Sequence, residues 1–341
     1  MESKDFESIM KEITRGLTGN FEQDISYLNE QMEKYKGHEY EKEILRACGR
    51  LIYEIMPEDK KKELEEMVSK DTAGFDAAME EIQFNIHNKK YDKALKMMES
   101  MVEKYEKLNM YADDNVSEYY DFNELFEEVL YVQLHSPKKD VRRSQIEYTK
   151  IYYQYGSLLM DLQRYEDAAR ELEKAMRWNP SNARIAFEYA ETFKARGMIE
   201  EYYTITKKIH KIIFHDSDLA RYYRNLGYYY VEKQDLQTAV CCYIYSTIFE
   251  GSNIAQSELY YISTLDSSIN MDPEVELLED CFESNDIPSN ADDDIIAMAY
   301  HLTKSCMENG NKSGAEYFIS ILLNFIETDE IRSMNEEINK M

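Results

Sequence analysis

Apolar residues recur at three- and four-residue steps along most of the chain, which predicts one amphipathic helix after another. Phe6, Ile9, Met10, Ile13 and Leu17 share a first face, and Phe21, Ile25, Leu28, Met32 and Tyr35 a second. Ile44, Leu45, Cys48, Leu51, Ile52 and Ile55 make a third, which ends before Pro57. No run alternates as a strand would, and the 341 residues include only 11 Gly and 5 Pro, so the chain reads as all-α. Residues 1–70 form an N-terminal helical segment or cap without any repeat signature.

From 149 to 251 the periodicity acquires a second, longer beat. Tyr152-x2-Tyr155-Gly156-x2-Leu159 is followed by Ala168-x3-Leu172, and 71 residues later Tyr223-x2-Leu226-Gly227-x2-Tyr230 is followed by Ala239-x3-Tyr243. Ala186-x2-Tyr189-Ala190-x2-Phe193 gives a weaker copy between them, with Ala190 standing 34 positions after Gly156. A helical glycine costs on the order of 1 kcal/mol against alanine, so its return at one register points to close helix crossing. Gly156 and Gly227 are the small residues of the first helices, Ala168 and Ala239 those of the second. Gly227→Leu is expected to overpack that crossing by roughly 1–3 kcal/mol. Asn179-Pro180-Ser181-Asn182 supplies a turn and a helix cap, and Gly251-Ser252-Asn253 supplies the next turn.

Elsewhere the beat is fainter. Residues 71–107 hold Tyr91-Asp92-Lys93-Ala94-x3-Met98, with Ile82 where the small residue of a first helix belongs. Residues 108–148 read as an irregular helical insert: a polar loop over 109–115, then a helix from about 118 to 134 ended by Ser136-Pro137. In 252–341, Tyr261 falls 34 positions after Gly227, so that crossing should be wider. Asp272-Pro273-Glu274 should start another helix, Ala299 and Ala315 mark a last pair, and the polar residues 327–341 close the end.

These motifs resemble the tetratricopeptide repeat superfamily, strongly over 149–251, with tyrosine where tryptophan is usual. The chain also looks like an uncharacterised group of bacterial proteins of that type, which adds no function. The resemblance implies a right-handed superhelical solenoid of antiparallel helix pairs. Its first helices would line a concave groove for a peptide segment of a partner, and the repeats themselves would do no chemistry.

Charge sharpens this reading. The net charge of −27 is distributed as 14 basic against 14 acidic residues in 149–250, but 4 against 19 in 251–341. Phosphate backbones and anionic lipids are bound chiefly through Lys and Arg, so neither nucleic acid nor membrane is expected as a partner. No apolar run approaches the ~20 residues that span a bilayer, and Met1-Glu2-Ser3-Lys4-Asp5 does not resemble a signal peptide. Five cysteines without a C-x-x-C pair fit a reducing, cytoplasmic setting.

If the first helices line a groove, residues at matching offsets from the small residue face it together. Lys150, Arg184 and Arg221 lie six before it; Tyr153, Phe187 and Arg224 three before; Tyr228 one after Gly227. Cations with aromatic flanks suit a peptide, an acidic one in one version, or a terminal carboxylate. The competing reading is a row of solvated surface charges, with Arg184 paired to Glu188 one helical turn on. A third has the track hold the acidic C-terminal quarter of the same chain or of a second copy, so self-association is open.

No catalytic, cofactor or metal motif emerges. His210 and His215 are spaced five apart, which does not put both on one helical face. Cys241 and Cys242 should pack as small apolar residues with at most one of them buried. Asp292-Asp293-Asp294 reads as an acidic helix start. The expectation is thus a non-enzymatic adaptor, with a regulatory sensor whose superhelix changes pitch on binding peptide as the alternative. An enzyme would need its site in 1–70 or 108–148.

Overall fold

The computed structural model describes residues 5–109 and 111–341, with side chains throughout these except at 65 and 67–73. Met1 to Lys4, part of the leader reading, and Met110 of the polar loop lie outside the described residues. The chain divides into two compact units, residues 1–121 with 135–151 and residues 122–134 with 152–341.

In the first unit, α1 (Phe6–Arg15), α2 (Phe21–Lys34) and α3 (Glu41–Ile55) close around Ile9, Ile13, Leu28, Ile44 and Cys48. Asp5 and Asn20 cap the first two helices by accepting from Ser8 N and Gln23 N. Leu45, placed on the apolar face by its spacing, is instead exposed. α4 (Glu58–His87) runs unbroken through position 70 and packs on α5 (Tyr91–Leu108), where Ile82 and Ala94 are both fully buried.

The expected helix from 118 starts later. Ser117–Tyr120 is a strand, β1, paired in parallel with β2 (Asp140–Arg143) from Ser117 opposite Asp140. The polar loop before β1 is tied down: Asp114 Oδ1 accepts from Val116 N and Ser117 N, its Oδ2 pairs with Arg46 at 2.5 Å, and buried Glu43 accepts from Asn115 N. Those bonds hold the backbone extended where a helix would otherwise begin.

The second unit contains the repeats. α6 (Leu125–His135) contributes Phe126 and Leu130 to a core with Phe214, Ala299, Phe318 and Leu322. The helix pairs are α7 (Tyr148–Asp161) with α8 (Tyr165–Trp178), α9 (Ala183–Ala195) with α10 (Ile199–Ile209), and α11 (Asp216–Glu232) with α12 (Leu236–Phe249). The first four residues of α7 belong to the first unit. α13 (Asn253–Leu265), α14 (Val275–Ser284), α15 (Asp293–Glu308), α16 (Lys312–Leu323) and α17 (Asp329–Lys340) follow.

The small residues sit at crossings. A Cβ on Gly156 would lie 2.6 Å from Leu172 Cγ, and one on Gly227 2.9 Å from the ring of Tyr243. Ala168, Ala190, Ala239, Ala299 and Ala315 are fully buried. Tyr152, Tyr202, Tyr222, Tyr223, Tyr230 and Tyr243 of the repeats are buried packing residues.

Three local expectations need correction. α14 begins at Val275, after Pro273, and its N-cap Glu274 makes no side-chain capping bond. Residues 329–340 are not merely polar: Ile331, Met334 and Ile338 are buried on one face of α17. Cys241 and Cys242 are both fully buried, because α12 packs against α11 as well as against α13 and α14.

Candidate functional site

Asn182 accepts from Ile185 N to start α9, and buried Ala186 and Ala190 on that helix allow its neighbours to approach closely. The first helices then bring Arg184, Glu188 and Arg221 close enough to Tyr153 to act on its phenol. Tyr153 is half-buried; burial and nearby Glu188 push its phenol up, while Arg221 and Arg184 pull it down.

Each cation of the face is already matched. Arg221 Nη1 pairs with Glu188 Oε1 at 2.9 Å, and its guanidinium lies 5.0 Å over the Phe187 ring. Arg184 Nε reaches Asp218 Oδ1 at 3.5 Å, not Glu188 as the helical-turn spacing suggested. Asp218 is buried, which pushes its carboxyl up against the pull of Arg184, His215 and Arg221. Arg224 Nη2 bonds Glu250 Oε2 at 3.1 Å, and its buried Nη1 has no partner. Lys194 pairs with Glu191 and places its ammonium 4.9 Å over the Tyr228 ring. Lys150 lies in the first unit, where it pairs with Glu147 at 2.8 Å and Asp76 at 3.6 Å and sits 5.2 Å over Phe75.

The register of cations is therefore a row of internal ion pairs, with Arg184, Lys194, Arg221 and Arg224 balanced by Asp218, Glu191, Glu188 and Glu250. Phe187 is a further correction. It has no exposed surface, so it supports Arg221 from beneath and offers no contact area to a ligand. Tyr228 remains half-exposed, edge-on to buried Tyr202 at 5.8 Å, and its phenol is pushed up by burial and then by Glu232.

Two carboxylates escaped the sequence reading. Glu127, almost fully buried, accepts from Asn123 N, Glu124 N and Asn179 Nδ2 through Oε2, and from Asn182 Nδ2 through Oε1, all at 2.7–2.9 Å. Glu127 is the third residue of α6, so its backbone contacts are half of a capping box. Its side chain also ties the α6 start to the turn between α8 and α9. Burial raises its carboxyl pKa. Glu124 receives His215 Nε2 at 2.9 Å and the Tyr317 hydroxyl at 3.3 Å. Acceptors at the first turn of a helix were the available signal for Glu127; its asparagine partners lie more than 50 residues away and left none.

His210, the other histidine weighed, is buried with Nε2 2.7 Å from Asn290 O. Asp292 caps α15 and pairs with Lys211 at 2.6 Å. No helix among the described residues is long and apolar enough to cross a membrane.

No protein-family model matches the chain, and no curated protein does. Among solved structures it is similar to the crystal structure of YrrB, described as a TPR protein with an unusual peptide-binding site. The match has 13% identity and a TM-score of 0.30 over 81% of this chain and 98% of that one. At that score the likeness carries no conclusion about function. The packing of Gly156 on Leu172 and of Gly227 on Tyr243, with Ala168 and Ala239 buried on the second helices, makes the second unit an all-helical array of antiparallel helix pairs.

Proposed function

We propose that the chain is a non-catalytic interaction module that binds a peptide segment of a partner protein along the faces of α9 and α11, with Tyr153 at one margin and Tyr228 at the other. What carries the reading is the combination of half-exposed aromatics with ion pairs that are held in place before any ligand arrives. Arg221 is fixed by Glu188 and by stacking on Phe187, so little side-chain entropy is lost on binding. An acidic peptide would have to displace Glu188 or Glu250, whereas a peptide of mixed charge exchanges one pair for another at lower cost. A cytoplasmic setting and a protein partner belong to the same proposal.

The test is selection from a random peptide library on the wild-type chain, followed by affinity measurement on Tyr228→Ala and Arg221→Gln once circular dichroism shows intact helix content. A loss of ten-fold or more in either variant is expected. Peptides that bind both variants as tightly as wild type would place recognition elsewhere and end this reading.

A further inference from the structure

Next to Tyr228 the facing sides of α11 and α13 leave a cavity of about 370 Å³. Its wall on α11 is Tyr228, Val231 and Glu232; its wall on α13 is Glu258, Tyr261 and Leu265. These are three- and four-residue steps on both helices, so each wall is one continuous helical stripe. Tyr261 stands at the register of Gly227, where the repeat has lost its small residue, and it is half exposed.

The chemistry of the cavity differs from that of the arginine row beside it. Neither Glu232 nor Glu258 has an ion-pair partner among the described residues, and no Lys or Arg lines the cavity. Burial apart, Glu232 and Glu258 lie close enough to push the Tyr228 phenol up, and Glu258 acts likewise on Tyr243. Lys194, the cation nearest Tyr228, has its charge matched by Glu191. Two unmatched carboxylates, two aromatic rings and two aliphatic side chains together provide charge, a π face and a sleeve for a methylene stem.

We propose that this cavity is a subsite for a cationic side chain, arginine before lysine, on the peptide that the adjoining face receives. The proposal rests on the peptide reading above for its ligand and on the cavity alone for its charge preference. Arginine is preferred because a planar guanidinium can stack on tyrosine and bond a carboxylate through two nitrogens at once, which an ammonium cannot. Since the carboxylates are partly exposed, the attraction is screened and weakens with salt.

The experiment uses the full chain with labelled methyl groups, read by NMR at Val231 and Leu265. The probes are N-acetyl-arginine amide and its neutral isostere N-acetyl-citrulline amide. Saturable shifts at both residues are expected with the arginine probe, at least ten-fold weaker binding with citrulline, and a comparable loss in the Glu232→Gln/Glu258→Gln variant. Tyr261→Ala, a change at an exposed position, should weaken the arginine probe as well. Equal response to both probes, an unaltered response in the glutamine variant, or no response at either methyl would overturn the subsite. Library-selected peptides that bind without any Arg or Lys would also overturn it while leaving the peptide face standing. A saturating arginine probe in a chain that retains no peptide would keep the subsite and remove the peptide reading.

Discussion

Replacing Gly227 by alanine isolates the helix crossing on which the repeat depends. The new methyl carbon would lie 2.9 Å from Cε2 and Cζ of Tyr243 and 3.0 Å from Cδ2, well inside the ~3.5–4.0 Å optimum for carbon contacts. Tyr243 is 1% exposed, so its ring cannot swing into solvent and the strain must pass into the α11–α12 packing. Overpacking of this kind costs roughly 1–3 kcal/mol. Alanine in place of helical glycine returns about 1 kcal/mol, leaving a net loss of up to about 2 kcal/mol. Gly49 in α3 supplies the control, because a Cβ there meets nothing within 4 Å; Gly49→Ala should gain roughly 0.5–1 kcal/mol. The contrast between the two variants, about 1–3 kcal/mol, is then the crossing alone. Because neighbouring repeats can open separately, hydrogen exchange over α11 and α12 reads the local effect better than a single melting temperature. Faster exchange in Gly227→Ala is expected, with recovery when Tyr243→Leu is added. Slower exchange in Gly227→Ala, matching the gain at Gly49, would refute the close crossing.

Other residues give equally direct tests. Glu127→Ala strands buried donors, Asn179 Nδ2 among them, and should cost roughly 2–4 kcal/mol in urea unfolding; a loss of only a few tenths would show the asparagine turn does not need α6. His215 has its pKa raised above 6.5 by the bond to Glu124. The stability it contributes is complete below its unfolded pKa and is lost as pH rises through the folded one. NMR titration should place it above the ordinary histidine value, returning toward that value in Glu124→Gln; an unmoved pKa in the variant would contradict the pair. Arg221→Gln should cost less than ~1 kcal/mol, since its pair with Glu188 is partly exposed. Arg224→Glu should cost more, because the side chain is largely buried and carries a buried, unpartnered Nη1; equal melting temperatures for the two variants would show that Arg224 is not held as described.

What could be read from sequence was whatever excludes a side chain. Gly156, Gly227, Ala168 and Ala239 reveal helix crossings because no larger residue fits there, and that constraint is local. β1 was hidden because Ser117-Glu118-Tyr119-Tyr120 has no alternation and is held extended by Asp114 and Asn115, whose partners Arg46 and Glu43 lie far upstream. The buried stripe of α17 was hidden because Ile331, Met334 and Ile338 stand among charges that dominate the average. The burial of both Cys241 and Cys242 was hidden because helical spacing shows which residues share a side, not how many neighbouring helices surround the helix.

Of the candidate site the sequence shows the cations and not their partners, and the reason lies in the repeat itself. Matching residues of successive repeats face the same way, so Arg184 and Arg221 could be brought to one face from the period alone. Their carboxylates come from the neighbouring repeat, and the spacing shows it. Arg221 to Glu188 and Lys233 to Glu200 both span 33 positions, and so does the exchange of bonds between Gln237 and Asn270. A charge in such an array is therefore judged against the residue one period away as much as against the residue one turn away. By that rule Arg184 belongs to Asp218, one repeat on, and Glu188 is released to hold Arg221. By the same rule Glu232 and Glu258 are left without an ion-pair partner one period away among the described residues. Beside Tyr228 and Tyr261 the local charge is therefore negative and unpaired among the described residues, and it is on this charge, not on the arginine row, that the proposed preference for a basic over an acidic side chain rests.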